Sequence, residues 1–389
     1  MAAATIATAA TTRGTSLAEP LRLGAIEVWP PVVLAPMAGV TNAPFRSLCR
    51  SFGGGLFVSE MVSARALHYG NAKTWQFAAF SPQENPRSLQ LYGTDPVEVG
   101  DVVKRLVAEG RIDHLDLNFG CPAPKITRRG GGAAIPLKPR LLASIIRAAV
   151  ANAGSVPVTM KFRKGIDDEL STYLQAGRIG EEEGCAAVAL HGRTAAQLYD
   201  GAADWNAIGE LKAHVRDIPV LGNGDIWEAA DALAMMAATG CDGVVVGRGC
   251  LGRPWLFAEL NRAFAGETVP PPPRFGEVAA VMRRHARQLV AWNGEVRAMQ
   301  DFRKHLAWYA KGYSLGTDVR RHLAAVSSFA DLDVFLDQLD PHARVDPAAL
   351  RLPRGKGAGR QRVALPDGYL DNLDDDTPPE PDAGLSSGG

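Results

Sequence analysis

The sequence predicts a (β/α)8 barrel followed by a smaller all-helical domain. Three observations carry this. Eight short apolar or β-branched runs recur between residues 32 and 246, and each ends in small, polar or charged residues. Their ends are spaced by about 30 residues on average, the size of one βα unit. Beyond Pro270-Pro271-Pro272-Pro273, apolar residues fall at helical spacing instead. A doubly wound open sheet is the competing architecture. It seldom needs eight near-equal repeats, and no GxGxxG follows the first strand.

Taken in order, residues 1–20 are Ala/Thr-rich with one Arg and no continuous apolar core. They read as a disordered extension rather than a secretory signal. The barrel is expected over 21–266. Its strands are Val32–Ala35, Leu56–Ser59, Ser88–Leu91, His114–Leu117, Val158–Phe162, Ala186–Leu190, Pro219–Leu221 and Gly243–Val246. The first helix shows how the intervals are built. Asn42 can cap it, Pro44 suits its first turn, and Phe45, Leu48, Cys49 and Phe52 share one face. Gly53-Gly54-Gly55 then stops it.

Residues 274–345 are expected to be helical, with Val278, Val281, Met282 and His285 on one face and Phe302, Leu306 and Tyr309 on another. From Arg274 to Ala325 there are ten Lys/Arg, among them Arg303, Lys304, Arg320 and Arg321, against four acids. A basic helical domain beside a barrel suggests a polyanionic partner. Residues 346–389 are expected to be a disordered acidic tail. From Pro366 onward the chain carries seven acids and no Lys or Arg. The formal net charge of zero is therefore an average over a basic body and an acidic end.

No run of about 18 apolar residues occurs, so a membrane-spanning helix is excluded. Five scattered cysteines without CxxC or His-rich spacing argue against a disulfide framework and a structural zinc. A reducing cytoplasm is the expected compartment, and no metal is expected.

Function in a barrel of this type sits at the C-terminal ends of the strands. Strand one runs into Ala35-Pro36-Met37-Ala38-Gly39, small residues that let a flat ligand lie close to backbone. Strand three ends near Gln90, strand four in Asn118-Phe119-Gly120-Cys121-Pro122, and strand five carries Lys161 and Arg163. Strand six ends in His191-Gly192-Arg193-Thr194, strand seven in Gly222-Asn223-Gly224-Asp225, and strand eight in Gly247-Arg248-Gly249. The loops after strands seven and eight are the common phosphate site of this architecture. A lysine on strand five suits a flavin, because reduced flavin carries negative charge that a fixed cation favours. Taken alone, Lys161 reads as a strand-end lysine lying along apolar surface, and His191 as a satisfied core histidine. Cys121 stands in a turn where a small structural residue would suffice. A free thiol has a pKa of about 8.5, so near neutrality it can act as a general acid as well as a nucleophile.

Together these motifs resemble a known family. Leu34 to Arg46 (LAPMAGVTNAPFR), Asp116 to Lys125 (DLNFGCPAPK), Leu190 to Thr194 (LHGRT), Gly222 to Ile226 (GNGDI) and Gly247 to Trp255 (GRGCLGRPW) are similar to tRNA-dihydrouridine synthases. Phe302 to Tyr309 (FRKHLAWY) is similar to the bacterial B-type branch. The resemblance covers about residues 30–345 and implies a barrel that binds FMN, reduces it with NADPH, and reduces a uracil in tRNA. On that basis Cys121 is the proton donor. Pro36, Met37 and Ala38 line the flavin, Gln90 bonds its ring, and Lys161 and His191 sit beside it. Asn223, Gly224, Asp225, Gly247 and Arg248 hold ribityl and phosphate. Asn118, Arg163, Arg193, Arg303 and Lys304 meet the RNA substrate. A flavin reductase acting on a free base is the rival enzyme, and a barrel that binds RNA without catalysis is the rival from another class.

Overall fold

A computed structural model describes residues 18–316, 319, 325–355 and 359–379. Most of the predicted N-terminal extension (1–17) lies outside these residues. So do Asp318, Arg320 and Arg321 of the basic stretch, and Glu380 and Asp382 of the acidic end.

The chain opens with a short antiparallel hairpin, β1 (Leu21–Leu23) and β2 (Ile26–Val28). Eight parallel strands then close into a barrel: β3 (Val32–Leu34), β4 (Leu56–Ser63), β5 (Ser88–Tyr92), β6 (His114–Phe119), β7 (Val158–Arg163), β8 (Ala187–His191), β9 (Val220–Asn223) and β10 (Gly243–Val246). Each pairs with its neighbours in sequence, and β10 pairs with β3 to close the ring. The fold predicted from the repeat is the fold observed. Alternation within the strands explains the two layers. Leu115, Leu117 and Phe119 of β6 and Met160 and Phe162 of β7 pack outward under the helices. Val33, Leu56, Val58, Ala187, Ala189, Leu221 and Val245 point inward. Leu21, Leu23 and Val28 of the hairpin join that inner cluster and plug the end where the strands begin.

Helix α1 (Ala43–Arg50) forms as its signals require: the Asn42 Oδ1 accepts from the Phe45 amide at 3.1 Å, and Phe45, Leu48 and Cys49 are buried. The glycines after it also let backbone approach closely. A Cβ on Gly53 would strike the carbonyl of Phe257.

Beyond the barrel, helices spanning Phe275–Asn293 and Glu295–Tyr309 pack on each other around Val278, Met282, Phe302 and Leu306. They also lean on the barrel. Phe45 lies 5.6 Å from both His285 and His305, and Gly252 abuts the backbone of Trp308, where no side chain would fit.

The acidic C-terminal end departs from its expected disorder wherever it is described. Residues 346–355 and 359–379 lie against the barrel, with Leu350 and Tyr369 buried. Charge pairing that composition alone conceals contributes, beside the contacts of Gln361 and the buried Tyr369. Asp375 meets Lys138 at 2.7 Å, Asp374 meets Arg140 at 3.8 Å, and Arg351 meets Asp231 at 2.6 Å.

Candidate active site at the strand C-terminal ends

Below the rim, where His191 and Asn223 end β8 and β9, polar residues enter the lumen on one side. On β5, β6 and β7 every second residue is polar: Ser88 and Gln90; His114, Asp116 and Asn118; Thr159, Lys161 and Arg163. Six of them, Ser88, Gln90, His114, Asp116, Asn118 and Thr159, form one hydrogen-bonded chain. The Thr159 hydroxyl donates to Asp116 Oδ1 at 2.7 Å, and the Gln90 amide donates to Asp116 Oδ2 at 2.6 Å. With the Thr159 hydrogen spent on Asp116, its oxygen must accept from His114 Nε2 at 3.1 Å. His114 Nδ1 then accepts from Ser88 Oγ at 2.7 Å. In the other direction Asn118 donates to Gln90 Oε1 at 2.8 Å, and the Asn118 oxygen accepts from the Cys121 amide at 2.9 Å and the Gly120 amide at 3.2 Å. Every donor along the chain therefore points toward Asp116, and its far end holds the backbone of Cys121. Burial pushes the Asp116 carboxyl up, opposed by Thr159, Gln90 and Lys161. Burial pushes His114 down to about 3, which keeps it neutral.

Gln90 and Asn118 thus face each other, and each amide has a protein partner at both ends. Their expected ligand contacts must be made with the donor and acceptor capacity left over. Asp116, Ser88, His114 and Thr159 did not stand out in the sequence. The signal that could find them is the period-two run of polar residues on three successive strands, which is costly in a lumen unless the groups satisfy one another.

Cys121 is half-buried at the top of this chain, whereas the other four cysteines are buried. Its carbonyl accepts from the Ala133 amide at 3.0 Å. Tyr92 lies close by, its hydroxyl pushed up by burial and by the Cys121 thiol. Lys161 lines the lumen with Pro36, His114 and Asp116. Burial, then the Arg163 guanidinium, push its ammonium down to about 7, with Asp116 opposing.

On the other side of the rim stand His191, Asn223, Gly224 and Gly247. His191 is held well below its ordinary range by burial and by Arg163, Lys161, Arg193 and Arg248 around it. Gly224 has φ +127°, and a Cβ there would lie 3.3 Å from the imidazole. Asn223 donates to the Val245 carbonyl at 2.7 Å, tying β9 to β10. The Arg248 guanidinium lies over Tyr199 at 4.1 Å and Trp227 at 5.2 Å. Pro36, Met37 and Ala38 form the lip, with the Met37 amide donating to Thr41 at 3.0 Å.

Two expected substrate contacts have other employment. Arg193 is buried and pairs with Asp225 at 2.7 Å, while also donating to the carbonyls of Asp200 and Gly201. Arg163 is buried and donates to the carbonyls of Gly120, Thr194 and Leu198, all at 3.0 Å. A guanidinium at a strand end has enough donors to staple loops from beneath, and that is the geometry here. Asp225, expected to hold ribityl or phosphate, spends its oxygens on Arg193 and the Ala203 amide. Of the two predicted residues in the helical part, Lys304 reaches the lip, its Nζ 3.8 Å from where a Gly39 Cβ would be. Arg303 is turned away toward the Val326 carbonyl at 3.3 Å.

Around His191 stand four basic side chains, Lys161, Arg163, Arg193 and Arg248, against two acids, Asp116 and Asp225. A rim with surplus positive charge beside glycines that leave backbone open fits an anionic, flat, phosphate-bearing ligand. FMN is such a group.

A family model described as Dihydrouridine synthase (Dus) matches residues 33–343. A probable tRNA-dihydrouridine synthase from Mycobacterium tuberculosis is 55% identical over 378 residues, covering 95% of this chain and 97% of its own length. The tRNA-dihydrouridine synthase B proteins of Xanthomonas axonopodis pv. citri and Proteus vulgaris are 38% and 35% identical over 300 and 312 residues, 77% and 80% of this chain and 90% and 95% of their own. Among solved structures, histamine dehydrogenase from Rhizobium sp. 4-9 superposes with a TM-score of 0.52 at 10% identity, covering 84% of this chain and 65% of that one, a likeness of fold.

Proposed function

The chain belongs to the dihydrouridine synthase family, and from that premise we propose that it reduces uridines in tRNA to 5,6-dihydrouridine in the cytoplasm, using FMN and NADPH. The observation that carries the proposal is the pairing of two features on one rim: Cys121, a thiol residue whose backbone amide is held at the end of a buried polar chain, and a positively charged, glycine-lined cradle facing it across the lumen.

FMN held by Gly224, Gly247, Arg248 and the Pro36–Ala38 lip would supply hydride to C6 of the uracil. Lys161 and the neutral His191 favour negative charge beside the ring, the former as a cation and the latter as a donor. Hydride addition leaves enolate-like charge on the base. Cys121 quenches it by giving its proton to C5, and the Asn118 oxygen on its amide keeps the thiol in place. A uracil stacked in tRNA cannot reach this lumen, so the base is flipped out. Lys304 at the lip and the basic helical face contact the phosphates that position it.

Two measurements test the reading together. The purified protein should carry flavin absorbance, and tRNA from a strain lacking it should lose dihydrouridine at a definite position that the wild-type gene restores. A colourless protein that takes up no FMN removes the cradle from the account. Flavin binding with turnover of free uracil rather than tRNA favours the free-base reductase instead.

A further inference from the structure

The carbonyls of Gly120, Cys121 and Pro122 are all fastened, one of them directly by the C-terminal segment 359–379 and another through a turn that this segment clasps. Arg163 holds the Gly120 carbonyl. The Gln361 side chain donates to the Pro122 carbonyl at 2.8 Å and to Ala195 at 3.2 Å, while its backbone amide donates to Ala196 at 2.9 Å. Gln361 thereby ties the turn after β6 to the loop after β8, the same two loops that Arg163 joins. The Cys121 carbonyl accepts from Ala133, and the turn containing Ala133 is itself clasped. The buried Tyr369 donates its hydroxyl toward the carbonyls of Gly130 at 3.2 Å and Ala134 at 3.3 Å. Gly132 must be glycine, since with φ +56° a Cβ would stand against the Cys121 carbonyl. Around these bonds Val363, Leu365 and Tyr369 make a small apolar cluster with Ala133, Ala134 and Ala195. Arg360, near Asp168 and Asp200, and Asp375 on Lys138 anchor the segment at both ends.

This segment lies beyond the residues the family model matches, which end at 343. The alignment to the mycobacterial relative takes in 95% of the chain, whereas the B-type alignments take in 77% and 80%.

We propose that residues 359–379 are a strap that fixes the Cys121 turn, with Gln361 and Tyr369 as positioning residues for the thiol. The catalytic consequence rests on Cys121 being the proton donor. A hydrogen bond from a strap to a carbonyl next to a catalytic residue, with a second clasp on the turn that holds that residue's own carbonyl, limits where its side chain can point. Loosening them leaves the cradle untouched but lets the thiol wander from the face of the base.

The test uses the full-length, FMN-loaded protein carrying Gln361→Ala, Tyr369→Phe, or both. Tyr369→Phe keeps the buried ring and removes only the hydroxyl, so the fold is preserved. Flavin reduction by NADPH should be unchanged in all three. Reoxidation by saturating tRNA should slow by about tenfold in the double variant with KM for tRNA unchanged, less than the about 10²-fold that a 1 Å misplacement of a reacting group can cost. Alkylation of Cys121 by iodoacetamide, followed by peptide mass, should change in rate by a similar factor. In a Cys121→Ala background the strap variants should cause no further loss. Wild-type alkylation and reoxidation rates in the double variant overturn the proposal, and so does an undiminished loss in the Cys121→Ala background. If Cys121→Ala itself turns over tRNA normally, the proton-donor reading fails, and an altered alkylation rate still supports the strap's hold on the turn.

Discussion

The two sides of the barrel lumen are built on opposite principles. From β8 through β10 and round to β4 the inward residues below the rim include Ala187, Ala189, Leu221, Val245, Val33 and Val58, packed against the hairpin plug. From β5 to β7 they are Ser88, Gln90, His114, Asp116 and Thr159, bonded to one another, with Lys161 beside them. The apolar side gains from burial alone and carries on its rim the glycines of the cradle. The polar side gives up that gain, and in return its hydrogen bonds run up to the amide of Cys121. A protein accepts buried polarity where each group is satisfied and where direction matters, since apolar contacts fill space without aiming a neighbour.

Paired substitutions expose the contrast. Leu221→Ala should destabilise the protein by about 2–5 kcal/mol through lost transfer and a cavity. Its Cys121 chemistry should persist at temperatures where it remains folded. Asp116→Ala should cost about 1–3 kcal/mol for each partner left unsatisfied, and it should also slow tRNA-dependent reoxidation of the flavin. Urea unfolding beside turnover separates the two. Equal losses of turnover per kcal/mol in both variants would break the comparison.

On the rim of the apolar side, Arg248→Ala should weaken FMN binding by about 1.5–3 kcal/mol, the worth of a charged hydrogen bond to phosphate. Fluorescence titration reads it, and thermal stability of the flavin-free protein should barely move.

Lys161 sharpens the comparison through pH. Its folded pKa is depressed to about 7 by burial and Arg163, below that of an ordinary lysine. Between that value and about 10.4 the unfolded chain binds the extra proton, so stability rises with pH across this window. Below it both states are protonated and the cost of burying the charge is fully present. Lys161→Met should flatten this rise in the flavin-free protein, as unfolding from pH 7 to pH 10 would record.

The smallest effect belongs to the helical part. Lys304→Ala should reduce the salt dependence of tRNA binding by about one counterion. Arg303→Ala should do less, since its guanidinium is turned to Val326.

The barrel was legible because its repeat is long-range and regular. The positions of Cys121, Lys161, His191 and the glycines at the C-terminal ends of the strands were legible, because each follows or closes an apolar run. Arg163 and Arg193 show the limit. A strand-end arginine that reaches a ligand and one that staples three loop carbonyls have the same sequence signature. The polar chain was hidden because its members are ordinary residues whose meaning lies in pairing across strands. The plug and the strap were hidden for a different reason. The plug's strands have only three residues each, and the strap has no periodicity, drawing its order from Gln361 and Tyr369 meeting loops more than 160 positions away.

The central claim is that the polar side aims a proton donor and the opposite rim holds the cofactor. Stopped-flow flavin absorbance of Cys121→Ala, with the two half-reactions run separately, tests it most directly. The variant should bind FMN normally and be reduced by NADPH at a near-native rate, while reoxidation by tRNA falls by about 10²–10⁴, the range for losing a general acid. Full tRNA turnover, or a lost reductive half-reaction, would make Cys121 a turn residue and place the proton elsewhere.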